Sequence, residues 1–358
     1  MNRALLASAA VAKVELLRLL RSPASVTLLL LVPALQILLF GYAVRPSSAE
    51  VSVAIAGPPE GQNELAALAR DAGLRIVARN LRPGGARTMV RNGEALIGIE
   101  LPAGEPDPVR AVIDASDPNL TAVAEERISA IYWRTLAEQN GPADGVPPLR
   151  LTRMFNPDAR ADWAFLPALI GTIMMISMLM LGTLSMARER EIGTWEALAA
   201  LPVGRMALLI GKSLPLALVG TAQGAIVLTL SAALFGLPVR GNIAALIALF
   251  PLFAIAHVIL GQALAARART QMEALQGAVA FYLPAMLLSG FLYPFATLPG
   301  WAQYLGSLFP LTHFIRASRE ATLRGAEAST ILIHGIPIVL FLAAALLAAF
   351  TQYRARLD

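Results

Sequence analysis

Trp163–Met186 reads WAFLPALIGTIMMISMLMLGTLSM, 24 residues without a charge, and Arg188-Glu189-Arg190-Glu191 follows it almost at once. A bilayer core is crossed by about 20 mainly apolar residues in helical form. The stretch therefore predicts a membrane span, with the four charges marking where it meets the headgroups. Working outward, five more stretches meet the same test: Val26–Val44, Ser213–Phe235, Ile243–Ala266, Ala274–Leu292 and Ile331–Phe350. Composition agrees. The 358 residues are 56% hydrophobic and 15% charged, whereas a soluble domain is about 45–50% apolar and about 25% charged. The expectation is an α-helical polytopic membrane protein with six transmembrane helices.

Arg3, Lys13, Arg18 and Arg21 precede the first span. That basic region is too long for a cleaved signal peptide, so an uncleaved anchor is expected despite Ser47-Ser48-Ala49. Short loops set orientation, and they do so through Lys and Arg. With the N-terminus inside, the inner segments 1–25, 187–212, 267–272 and 351–358 carry twelve basic residues, against four in 236–242 and 293–330. Both termini are expected in the cytoplasm. The net charge of +5 is accounted for by this placement, and no nucleic-acid partner is expected.

The exterior stretch 45–162 is patterned. Val51–Ala56, Leu74–Ala78, Ala95–Leu101 and Val109–Ala115 read as strands, with helices at Glu64–Ala72, Arg87–Arg91 and Leu120–Gln139 between or after them. Strands alternating with helices predict an inserted α/β extracytoplasmic domain with some parallel pairing. Gly141–Pro148 reads as a link back to the membrane. The expected division is 1–44 for the N-terminal helix and first span, 45–162 for the exterior domain and 163–358 for the remaining five spans.

Catalytic chemistry is not evident. The chain has no cysteine, and His257, His313 and His334 are too scattered to suggest a metal site. Gly211-Lys212-Ser213 resembles the tail of a phosphate-binding loop, but Met206 stands where that motif needs glycine and no strand precedes it. No ATP site is expected, and no bound cofactor. Gln36, Gln223, Gln262, Gln276, His257 and Glu273 could line a path, although helix–helix hydrogen bonding is the simpler explanation of each.

The informative cytoplasmic stretch is Ala187–Arg205. Gly193-Thr194 can stop one helix and start another, with Thr194 as N-cap. Trp195, Leu198 and Leu201 then share one face until Pro202, a short amphipathic helix suited to the interface. An ordinary charged loop fits this periodicity as well. Glu189-Arg190-Glu191-x-Gly193-Thr194-x-Glu196-x-Leu198, then Pro202-x-x-Arg205 and Gly211-Lys212, resembles the signature of the ABC-2 type transporter permeases. Val51–Ala56, Asp114–Asn119 and Phe309-Pro310-Leu311-Thr312 with Arg319 and Gly325 are similar to the subfamily with a large extracytoplasmic domain between its first and second spans. Trp195 departs from the usual smaller residue.

The resemblance implies that 187–205 holds a coupling helix docking into an ABC ATPase subunit, which would carry ATP and Mg. It would place Glu189, Arg190, Glu191, Gly193, Thr194 and Glu196 at that contact. It implies a dimer with a second permease subunit, homo- or heterodimeric, in the bacterial inner membrane among its lipids, and admits a periplasmic adaptor. Substrates would be amphiphilic or hydrophobic: drugs, lipids or polysaccharides. Segment 293–325, with Pro310, Thr312 and Arg319, would form a re-entrant hairpin near the outer gate. Composition alone offers an interfacial loop there, since Trp301, Tyr304 and Phe309 suit a headgroup belt. A membrane receptor whose exterior domain binds a ligand is the competing reading of the whole chain.

Overall fold

The computed structural model describes residues 3–21, 51–102, 108–116, 118–138, 149–158, 160–193, 205–266, 268, 270–292, 295 and 298–354. They fall into two units, one within 43–164 and the other within 1–42 and 165–358. The expected first span, Val26–Val44, and the Gly141–Pro148 link lie outside the described residues. Helix α1 (Arg3–Arg21) opens the chain.

The unit within 43–164 is a five-stranded sheet carrying helices on both faces. In order along the chain come β1 (Val51–Ala56), α2 (Pro59–Asp71), β2 (Leu74–Leu81), α3 (Gly85–Arg91), β3 (Ile97–Glu100), β4 (Val109–Asp114), α4 (Pro118–Glu138) and β5 (Leu149–Met154). Strand order is β2-β1-β3-β4-β5. All neighbours run parallel except β3 and β4. Successive side chains of a strand face opposite ways, and in β1 both ways are buried. Val51, Val53 and Ile55 join α2 and α4 through Ala66, Ala69 and Ile128. Ala54 and Ala56 face α3, with Ala86 and Val90. Double burial explains why β1 is apolar but for half-buried Ser52, whose Oγ accepts the Leu96 amide at 3.0 Å. Gly98 is small because α3 lies directly on β3: a Cβ there would stand 2.7 Å from the Ala86 carbonyl oxygen.

Two boundaries differ from expectation. Helix α2 begins at Pro59 rather than Glu64, because Pro at the first helical position has φ already set and no amide to satisfy. Strand β5 is absent from the sequence reading. It is an edge strand, exposed from Arg150 to Arg153, so burial never wrote an apolar pattern into it. A two-pronged ion pair supports it: Arg153 Nε donates to Glu125 Oε1 at 2.5 Å and Nη2 to Oε2 at 2.8 Å. That hydrogen bonding raises the Arg153 pKa above its ordinary value.

The remaining described residues are mainly helical. Helix α5 (Ala161–Ile192) is followed by α6 (Arg205–Phe235), α7 (Ile243–Ala265) and α8 (Gln271–Leu288). Then come α9 (Gly300–Gly306), α10 (Pro310–Arg319), a π-helical turn at Glu320–Arg324, α11 (Ala328–Ile333) and α12 (Gly335–Arg354). Among the described residues, four helical stretches are long and apolar enough to cross a membrane: Ala161–Ile192, Ala207–Phe235, Ile243–Ala265 and Ala328–Thr351. Helix α8 occupies the expected Ala274–Leu292 span, starting at Gln271 because Thr270 Oγ1 accepts the Glu273 amide at 3.2 Å. Gln271, Glu273 and Gln276 make it more polar than the other four.

Helix α5 is the centre: 89% of its most apolar stretch is buried, against 22% for Ala328–Thr351. Apolar side chains gain nothing by leaving lipid, so such helices associate through close backbone approach and polar links. Both are present. A Cβ on Gly182 would stand 2.9 Å from the Val258 carbonyl carbon, and one on Gly261 2.8 Å from the Thr183 amide nitrogen, so α5 and α7 touch backbone to backbone. In α6, Gly220 receives Met178 and Ala254, while Gly224 receives Met174 and Phe250. Gln223 Nε2 donates to Ser177 Oγ at 2.9 Å, and Ser213 Oγ to Gln262 Oε1 at 3.1 Å, tying α6 to α5 and to α7. Helix α1 lies along α6, and α12 packs on α7.

Gly182→Ala and Gly261→Ala should each lower the melting temperature of the detergent-purified chain, because the α5–α7 backbones must separate. Gly277→Ala in α8, whose Cβ would meet nothing within 4 Å, should be neutral or stabilising by about 0.5–1 kcal/mol. Melting curves followed by size-exclusion fluorescence compare all three, and an equal response to all would refute the close crossing.

Candidate functional site

The charged end of α5 gathers side chains from three helices. Helix α5 runs through the four charges and stops after Ile192, where Gly193 takes φ 79 and its amide donates to the Arg190 carbonyl at 3.2 Å. A left-handed residue closing a helix is characteristically glycine. The expected break at Gly193 is present. Thr194 and Glu196 lie outside the described residues.

The other expected contact residues sit differently from one another. Glu189 is 4% exposed. Its carboxylate pairs with the Lys212 ammonium of α6, itself 1% exposed. Lys212 Nζ also donates to the Ser185 carbonyl at 3.4 Å. Arg190 is half-buried and Glu191 exposed. Glu191 Oε2 accepts from Gln271 Nε2 at 2.6 Å and from the Gln271 amide at 3.4 Å. A carboxylate beside the first amides of α8 suits the positive end of that helix. Met186, Ala187, Leu209, Ala263, Ala268 and Ala274 form an apolar bed at this end of the bundle. Lys212 thus lies in the interior of a continuous helix, a setting unlike the strand–loop–helix of a phosphate loop. The sequence carries no sign of its partnership with Glu189. In sequence Glu189 is one of four consecutive charges, and a spacing of 23 positions across a helix break carries no periodic signal.

The second region is α9–α10 and the turn after it. Pro310 opens α10 and is buried. Thr312 is fully buried, with Oγ1 donating to the Gly306 carbonyl at 2.5 Å. Phe314 packs against Phe250 and Phe253 of α7, with ring centroids 5.8 and 4.3 Å away, and fills the space left by Gly171 of α5. Arg319 Nη2 reaches the Gly290 carbonyl at 3.4 Å, beyond the end of α8. The Arg316 guanidinium lies 4.6 Å over the Phe295 ring. Carbonyls of the π-turn are answered by the α6–α7 connection: Gly241 donates to Ala321 at 2.8 Å and Arg240 to Thr322 at 3.2 Å. Irregular backbone within a membrane is tolerable on that condition, that protein satisfies it. Trp301 and Tyr304 of α9 are exposed. His334 Nε2 meets Glu320 Oε2 at 3.1 Å.

Of the polar residues considered for a path, Gln223 and Gln262 are committed to the helix ties described above. The His257 ring pairs through Nδ1 with the Phe253 carbonyl at 2.8 Å within α7. Gln36 lies outside the described residues.

A central buried helix, glycine-lined crossings and polar inter-helix ties define an integral membrane protein of the polytopic helical class. A family model described as ABC-2 family transporter protein matches residues 24–350. The chain belongs to the ABC-2 transporter family. It is 27% identical over 354 residues to an Escherichia coli K12 protein named "Probable multidrug ABC transporter permease YbhR", covering 95% of this chain and 96% of that one. It is 25% identical over 348 residues to "Probable multidrug ABC transporter permease YbhS" of the same strain, covering 91% and 88%. Over 190 residues it is 30% identical to the E. coli "Inner membrane transport permease YhhJ", covering 49% and 47%.

Lys212→Met leaves the Glu189 carboxylate buried without its ammonium, and breaking a buried pair from one side costs roughly 3–5 kcal/mol. The variant should melt well below the parent chain in detergent, and Glu189→Gln should do likewise from the other side. An unchanged melting temperature in both would show that water reaches the pair.

Proposed function

We propose that this chain is the membrane-spanning subunit of an ATP-binding cassette exporter, driven by a separate ATPase subunit that carries ATP and Mg. Two such permease subunits, identical or paired with a relative, would form the pathway. In this reading six helices cross the bacterial inner membrane: Val26–Val44, α5, α6, α7, α8 and the α11–α12 pair. Both termini are cytoplasmic and 45–162 is an extracytoplasmic domain, open to a periplasmic adaptor. Membership of the ABC-2 family over residues 24–350 and the basic residues of the inner loops support this arrangement.

The observation that carries the proposal is the break at Gly193 between a rigid α5 and a rigid α6. A segment of eleven residues, 194–204, joins two long helices, and the first of them, α5, is the most deeply buried of the four apolar stretches. A partner that pushes on this segment acts on the centre of the bundle. Gly193 and Glu191 are exposed beside it, and Thr194 and Glu196 belong to it. These residues, with Arg190, are the proposed surface for the ATPase, and coupling is the free energy transmitted through them.

The α9–α10 hairpin is proposed as a re-entrant element at the outer gate. Its buried Pro310, Thr312 and Phe314 and the answered carbonyls of the π-turn support a place within the bundle. The substrate class is amphiphilic or hydrophobic. Relatives named as multidrug permeases support that class.

Affinity purification of the chain from its native membrane should bring an ATP-binding cassette ATPase with it. Gly193→Val forces a β-branched residue into the left-handed region at a cost of order 1–3 kcal/mol. It should depress the ATPase activity of the assembled complex severalfold while the permease stays folded and loses only a few degrees of melting temperature. Absence of any nucleotide-binding partner, or full ATPase activity in Gly193→Val, would refute the coupling role.

A further inference from the structure

We infer that Glu189 and Lys212 are positioning residues: their buried ion pair cross-links α5 and α6, so that the two helices move as one body. The inference rests on the coupling role proposed above and gives Glu189 a task distinct from the ATPase surface.

The geometry carries it. Glu189 lies one turn before the Gly193 break and Lys212 two turns inside α6, so the pair joins the two helices near their charged ends. Both side chains are nearly inaccessible, 5% and 1% exposed, within the apolar bed of Met186, Ala187 and Leu209. Deeper in the bundle, Gln223 on Ser177 makes a second α5–α6 tie. Glu191 on Gln271 adds α8 to the same end. An apolar contact between helices can slide, because dispersion has little direction. Opposite charges in a low-dielectric setting cannot part without exposing each to an apolar surround. Replacing a buried pair by apolar groups commonly preserves or raises stability, so packing alone does not require charges here. The lysine supplies several donors from one point. It reaches the Glu189 carboxylate and the Ser185 carbonyl together, an arrangement that holds α6 in register along α5. The chain has only two lysines, Lys13 and Lys212, among 29 basic residues.

The test separates register from stability. The Glu189→Met/Lys212→Met double variant removes both charges, and a Glu189→Lys/Lys212→Glu exchange keeps both. The chain is free of cysteine, so Ile192→Cys and Ile210→Cys, both exposed, accept spin labels at the end of α5 and near the start of α6. In lipid nanodiscs the full chain should give a narrow inter-label distance distribution by electron–electron resonance. The double variant should match the parent in melting temperature but give a broadened distribution, and the exchange should narrow it again. A double variant as narrow as the parent overturns the inference, whether or not an ATPase binds.

The second arm uses the assembled complex in proteoliposomes and the dye Hoechst 33342. Dye moved per ATP hydrolysed should fall about fivefold or more in the double variant, with ATPase association retained. An unchanged ratio overturns the inference. Loss of ATPase association in the parent complex instead overturns the coupling role, and leaves the distance measurement to decide the brace.

Discussion

The helical unit depends on the backbone crossing of α5 and α7 at Gly182 and Gly261. Neither position has room for a methyl group, so the two helices sit closer than side chains would allow. In lipid, where burial of apolar surface offers no net gain between helices, such close approach supplies dispersion contacts that larger residues would prevent. Three further helices pack against this pair. Helix α6 lies on both through Gly220 and Gly224. Helix α10 enters between them through Phe314, using the space at Gly171. Helix α12 packs on α7, with most of its own apolar stretch left unburied.

Polar contacts add direction to that packing. Ser177, Ser213, Gln223 and Gln262 are buried and joined in pairs across helices. At the charged end of α5 the same logic reaches ionised groups. Glu189 turns inward to Lys212, while Glu191, two residues later and therefore on another side of the helix, stays exposed and meets the start of α8. One short charged run thus divides its work between holding the bundle together and presenting a surface. At the opposite region the α9–α10 hairpin and the π-turn solve a different problem. Their interrupted backbone would be costly in hydrocarbon, and the α6–α7 connection supplies the missing donors.

The domain within 43–164 follows the rules of water-soluble folds. Strands β1, β3 and β4 are buried on both faces, and their apolar runs are plain in the sequence. Strand β5 is not, because its exposed residues answer to the solvent. The same distinction separates the site residues. Gly193 was legible because a helix stop needs a left-handed residue and glycine is the residue that adopts it. Glu189 was legible as part of a family pattern, but its partner was not. Nothing in a linear spacing says that a charge four residues before a helix break will be dry.

By itself the sequence determined the membrane character, through apolar runs matched to the bilayer thickness. It determined the α/β nature of residues 45–162, through runs whose length and punctuation follow strand and helix geometry. It also determined the family, through the residues around Gly193. Tertiary structure alone decided which helix is central and which glycines are contact points. It alone decided that Glu189 and Lys212 form one buried pair. The physical reason is that hydrophobicity is a property of each residue and can be read in order along the chain. Close approach and charge pairing are properties of two residues at once, and they exist only after the helices have been brought side by side.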